Sequence, residues 1–169
     1  MRRFKWPKGL DAPPLTVGKV LHRYMAEDGW QGAARWARRA QEVAPTIVGG
    51  SKKHGGADLG PSGSRKAWAA LGVNGSSLAN APPEKIFVGM PRLTIPMVAR
   101  LQGFPDDWQF EGSKTHAYRQ VGNAMPPPLA EVVAKQIRRA LVTQPALGWG
   151  AATLPLAVPV HREQGGAQA

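Results

Sequence analysis

The sequence predicts a mixed α/β fold, and three features predict it. Helical periodicity begins at recognisable caps near Thr16, Thr94 and Pro126. Two short β-rich runs, residues 44–48 and 86–88, read as strands. Between them lies a Gly/Ser-rich stretch, residues 49–80, too long for a plain connector and of a kind that is either functional or disordered. The expected architecture is a small, irregular strand-and-loop unit followed by helices.

Residues 1–14 mix cations with Phe4, Trp6 and the turn formers Pro7, Gly9, Pro13 and Pro14, an irregular lead-in with aromatic anchors. Thr16 can cap a helix whose Val17, Val20, Leu21 and Tyr24 share one face, and Asp28-Gly29 breaks it. A second helix is expected from about Trp30 to Glu42, with Trp30, Ala33, Ala34 and Ala37 on one side and Arg35, Arg38 and Arg39 on another, a face read as ordinary solvated surface in preference to one that contacts phosphates directly. The stretch 49–80 carries Lys52, Lys53, Arg65 and Lys66, with His54, Asn74, Ser76 and Ser77 as hydrogen-bonding groups. Small residues let backbone enter a groove, cations hold phosphates, and amides or hydroxyls read base edges. A flexible surface insertion would look similar.

Thr94 supplies an N-cap hydroxyl and Pro96 falls in the first turn, where a missing N–H does no harm. Met97, Val98 and Leu101 make one apolar face, and Gly103 can take the left-handed conformation that ends a helix. Phe104 to Trp108 should form a turn with both aromatics folded inward. A polar, hairpin-like link then leads to Gly122-Asn123-Ala124, read as a loop whose backbone can approach a ligand closely. Pro126 to Pro128 open a last helix with Leu129, Val132, Val133, Ile137, Ala140 and Leu141 on one stripe, which must pack on something. Residues 144–169 lack periodicity and are expected to be a disordered tail.

Composition narrows the function. The chain has 169 residues, 43% of them apolar, with 16 Pro and 20 Gly, and a net charge of +11. Such a charge points to a polyanion or an acidic surface. It is uneven: residues 1–90 hold fourteen Lys/Arg against six Asp/Glu, the remainder eight against five. The absence of cysteine rules out disulfides, thiolate metal sites and a cysteine nucleophile within these residues. The four histidines are too scattered for a metal signature, no apolar run reaches membrane-spanning length, and the basic start lacks a signal-peptide core. A cytoplasmic protein is expected, nucleoid-associated when bound to DNA.

Thirteen residues in order carry a sharper signal: Thr94, Arg100, Leu101, Gln102, Gly103, Phe104, Pro105 and Asp106, then Tyr118, Gln120, Gly122, Asn123 and Ala124. In identity and spacing they resemble the last two motif blocks of the DNA cytosine-5 methyltransferase family. Complete members pair a Rossmann-type catalytic domain, which holds S-adenosylmethionine, with a smaller target-recognition domain, and they flip the target cytosine out of the duplex. The resemblance implies that residues 1–90 are target-recognition region, that 91–143 hold the last blocks and the closing helix of the methyltransferase domain, and that Gly122, Asn123 and Ala124 face the cofactor. It also implies DNA contact by Lys52, Lys53, Arg65, Lys66, Arg92, Thr94 and Arg100.

The family's ProCys nucleophile block, its GluAsnVal and Gln-X-Arg-X-Arg blocks and its early cofactor loop are not found in these residues. No catalytic or metal-binding residue is therefore assigned, and the chain by itself is expected to be inactive. It would serve as the C-terminal portion or small subunit of a methyltransferase, beside a catalytic chain carrying the missing blocks. The alternatives are a degenerate fragment or a stand-alone basic DNA-binding module without catalysis.

Overall fold

A computed structural model describes residues 4–9, 13–49 and 56–142. Among them the regular elements are all helical: α1 (Val17–Met25), α2 (Ala33–Arg39), α3 (Ser62–Ala70), α4 (Ile95–Leu101), α5 (Lys114–Asn123) and α6 (Pro127–Val142). The expected tail and the Lys52, Lys53 and His54 positions lie outside the described residues.

Several expectations hold to the residue. The Thr16 hydroxyl accepts from the Lys19 N–H at 3.3 Å and starts α1. Thr94 does the same for the Met97 N–H at 3.4 Å, with Pro96 in the first turn of α4. Gly103 follows α4 at φ +86° and Gly29 closes the turn after α1 at φ +77°, both in the left-handed region that a side chain disfavours. The last helix starts in the proline run, as read.

The strands are the main correction: neither expected run forms one, so the strand-and-loop part of the mixed α/β reading is not shown among the described residues. Among the described residues there is no β-strand, only an isolated antiparallel bridge between Gly29 and Glu84. A β-branched run becomes a strand only when another segment takes up its N–H and C=O groups. Residues 44–48 pair with no strand and leave Val48 exposed. Residues 86–88 curl instead, with the Phe87 N–H donating back to the Glu84 carbonyl at 3.0 Å. Smaller corrections follow from packing. The second helix is shorter than its periodicity suggested, because Gly32 sits at its start and Trp30 packs ahead of it; Trp36, not Ala34, joins Ala33 and Ala37 in the core. The stretch 49–80 contains α3, anchored by the fully buried Trp68. The supposed loop at Gly122 is the end of α5, since Ala117, Tyr118 and Val121 recur at helical spacing and are all buried. Phe104 folds inward, but Trp108 remains 57% exposed and only leans against the Phe104 ring.

One apolar core joins these elements. Val17, Leu21 and Met25 of α1 meet Trp36 of α2, Trp68 of α3, Met97 and Val98 of α4, and Tyr118 and Val121 of α5. Close approach of α1 and α2 requires Gly18, whose Cβ would stand 2.1 Å from the Ala37 carbonyl oxygen. The α6 stripe takes no part: no residue of α6 is buried, and Leu129, Ile137 and Leu141 are about half or more exposed.

Candidate functional site

The two sequence blocks around Thr94–Asp106 and Tyr118–Ala124 converge at one junction. The Gln102 carboxamide, just past α4, donates to the Val121 carbonyl near the end of α5 at 3.2 Å. Gly103 lies against the Pro128 ring of α6, where an added Cβ would come within 2.7 Å of Pro128 Cδ. Gly122 lies against the backbone of Val48 and Gly49, with an added Cβ only 2.4 Å from the Gly49 nitrogen. The chain thus passes four times through a small volume: the end of α4, the end of α5, the start of α6 and the segment leading to residue 50. Two of the contacts, Gly103 against Pro128 and Gly122 against Gly49, are close enough to need a glycine.

At this junction Asn123 is exposed and Ala124 half-buried in extended backbone, φ −74° and ψ 143°. The space that glycine leaves at Gly122 is filled by the chain's own Val48–Gly49 backbone. Gly49 sits just as tightly, its added Cβ falling 2.7 Å from Asn123 Oδ1. Tyr118 is fully buried, and among the described residues its hydroxyl finds no hydrogen-bond partner. Burial, with a smaller contribution from Asp58, pushes that phenol up to about 12.

The residues expected to face DNA do not form one cluster. Arg65 and Lys66 lie on the exposed side of α3, while Lys52 and Lys53 are outside the described residues. Arg92 is exposed, and its guanidinium donates to the Ser77 hydroxyl at 3.0 Å, joining the two flanks of the 77–92 segment. Thr94 is buried, and its hydroxyl is engaged in capping α4. Arg100 lies 3.7 Å from Asp106, which also accepts from Arg23 and from the Tyr24 hydroxyl. The hydrogen bond from Tyr24 is the main influence holding the Asp106 carboxyl below the ordinary range; partial desolvation opposes it, and Arg23 and Arg100 assist.

Reasoning from sequence missed the ties that hold this arrangement. Lys114 donates to the Leu78 carbonyl and to Asn80 Oδ1, each at 2.9 Å, pinning the start of α5 to the segment before residue 80. Asp106 ties α1 to the turn after α4 across 82 residues of chain. Nothing in local spacing announces such pairs, because their separation is set by the path of the backbone. Among the described residues no group of three His, Asp or Glu side chains is placed to hold a metal ion.

Comparison with known proteins agrees with the motif blocks. Residues 16–139 match the family described as C-5 cytosine-specific DNA methylase. The chain is 58% identical over 142 residues to the type II methyltransferase M.NaeI of Lentzea aerocolonigenes, covering 82% of this chain and 34% of that protein. It is 47% identical over 141 residues to the type II methyltransferase M.NgoMIV of Neisseria gonorrhoeae, covering 82% of this chain and 44% of that one. A shorter match, 44% over 55 residues, is to DNA (cytosine-5)-methyltransferase 2 of Arabidopsis thaliana and covers 32% of this chain and 4% of that protein. The chain therefore spans less than half the length of these relatives. No solved structure matches significantly.

Proposed function

The chain belongs to the C-5 cytosine-specific DNA methylase family, and from that premise we propose that it supplies the DNA-gripping and cofactor-closing part of a DNA cytosine-5 methyltransferase. On this reading residues 1–90 serve target recognition, and residues 91–143 complete a Rossmann-type methyltransferase domain. The observation that carries the reading is the junction itself, where both matched blocks meet beside an exposed carboxamide.

S-adenosylmethionine, the family's methyl donor, would supply the transferred group. The residues fit one wall of its site: Asn123 offers both a donor and an acceptor at an exposed position, and Ala124 adds a small apolar contact. Gly122 contributes indirectly, by seating the Val48–Gly49 backbone that crowds against Asn123. DNA contact is assigned to the cations of residues 52–66 and to Arg92, with Thr94 fixing α4 from within and Arg100 steadying Asp106. These 169 residues hold no cysteine, so the thiolate that attacks the flipped base comes from outside them. The family works on base pairs that must be opened first, and a +11 surface is suited to holding the duplex meanwhile. A partner of complementary chemistry is also favoured by α6, whose apolar stripe no described residue buries.

The test is to produce the chain with a second polypeptide bearing the ProCys block and the other N-terminal blocks, and to assay methyl transfer to cytosine in duplex DNA. Transfer is expected only when both are present. Transfer by this chain alone would overturn the proposal. In the reconstituted pair, Asn123→Ala should raise the KM for S-adenosylmethionine with little change in DNA affinity; the reverse pattern would remove Asn123 from the cofactor wall.

A further inference from the structure

Outside the junction, the most unusual surface is a loop tip. Ile86 is 80% exposed and Val88 91%, with Phe87 and Met90 partly exposed beside them. Consecutive apolar residues held in water at that level are uncommon on a surface and mark a contact site. The tip is also held firmly. The Trp30 indole N–H donates to the Phe87 carbonyl at 2.9 Å, and the two rings meet edge to face at 5.8 Å. The Gln31 N–H donates to the Lys85 carbonyl at 3.2 Å, and the Gly29–Glu84 bridge closes the base.

The surroundings decide what it fits. Phe87 already uses both of its backbone groups, its N–H towards Glu84 and its C=O towards Trp30, so addition of a partner's strand at that residue is blocked. The groups the tip presents most fully to a partner are the Ile86 and Val88 side chains. Open grooves flank the tip, with Arg35 and Lys85 on one side and Arg92 on the other; Glu84 is the acidic residue at its base. An apolar point between cations matches duplex DNA, whose phosphates lie on either side of a groove floored by base edges. Proteins that enter DNA in this way use Ile, Leu, Phe or Met as the inserted group.

We propose that residues 86–88 form an apolar wedge, braced by Trp30, that enters the DNA groove and packs against the bases while Arg35, Lys85 and Arg92 hold the flanking phosphates. The proposal rests on the DNA-binding reading above. Its test uses the full chain and short duplexes carrying 2-aminopurine at successive positions, following affinity by anisotropy across a salt series and base unstacking by fluorescence. The wild-type chain should bind with salt-sensitive affinity and raise the 2-aminopurine signal. The double variant Ile86→Ser, Val88→Ser should melt like wild type, lose about tenfold in affinity and lose the fluorescence rise, with its salt slope unchanged. Arg65→Ala with Lys66→Ala should show the opposite: a shallower salt slope and an intact fluorescence rise. A tip variant with wild-type affinity and fluorescence overturns the wedge and leaves the DNA reading standing. The same result accompanied by lost association with a catalytic chain also overturns it and assigns the tip to a protein interface. Absence of salt-sensitive binding by the wild-type chain overturns the DNA reading and the wedge together.

Discussion

Gly122 shows how a residue's role can differ from the one its motif suggests. Beside Asn123 it reads as clearance for a ligand, yet the cleared space holds the Val48–Gly49 backbone. Gly122→Ala puts a methyl group 2.4 Å from a backbone nitrogen that no rotamer change can move. The expected cost is about 1–3 kcal/mol of stability, measured as a lower denaturation midpoint; an unchanged midpoint would show that the two segments part easily. Tyr118 poses the converse case, a buried hydroxyl with no hydrogen-bond partner among the described residues. Removing an unsatisfied polar atom is nearly neutral or favourable, so Tyr118→Phe should leave Tm unchanged or higher, within about 1 kcal/mol. Its folded phenol is raised to about 12, above the roughly 10 of an unfolded chain. Its contribution is thus whole below about pH 10 and is lost as pH rises towards 12. The Tyr118→Phe variant should show a flatter alkaline limb in Tm against pH.

Between elements, the Asp106 clasp joins α1 to the turn after α4 through Tyr24 and Arg23. The carboxyl is held below its ordinary value, chiefly by the Tyr24 hydroxyl. The clasp is therefore fully formed above about pH 4 and is lost as pH falls through the depressed value. Asp106→Asn should flatten the acid limb of the Tm profile while leaving neutral-pH melting close to wild type, as expected for a half-exposed ion pair. An acid limb identical to wild type would mean that the clasp does not join the two elements in solution. The sequence announced both helices in this pair through Thr16 and Thr94, because a cap is satisfied within three residues. It did not announce the clasp, because Tyr24 and Asp106 are brought together only by the fold.

At the scale of the whole molecule, α6 is the element that the rest of the described chain does not explain. Its Glu131–Lys135 pair and its apolar stripe make a sound helix, yet nothing described covers Leu129, Ile137 or Leu141. If a catalytic chain covers that face, Ile137→Glu with Leu141→Glu should leave the melting of the isolated chain unchanged and abolish association with that partner. Retained association, measured by co-purification, would place the interface elsewhere. The stripe's periodicity, and the need for a partner or a missing half to pack on it, were both legible in the sequence; the structure adds that no residue among those described buries it.

Local chemistry determined the caps, the glycine turns, the proline-opened last helix and the ordered residues that mark the family, since each is satisfied by neighbours a few positions away. Tertiary structure decided that the β-branched runs would not pair, that Gly122 would close a helix against another segment, and that Ile86 and Val88 would stand in water on a braced tip. Those outcomes depend on whether a distant segment arrives to take up a hydrogen bond or fill a space. Periodicity in one stretch carries no record of that.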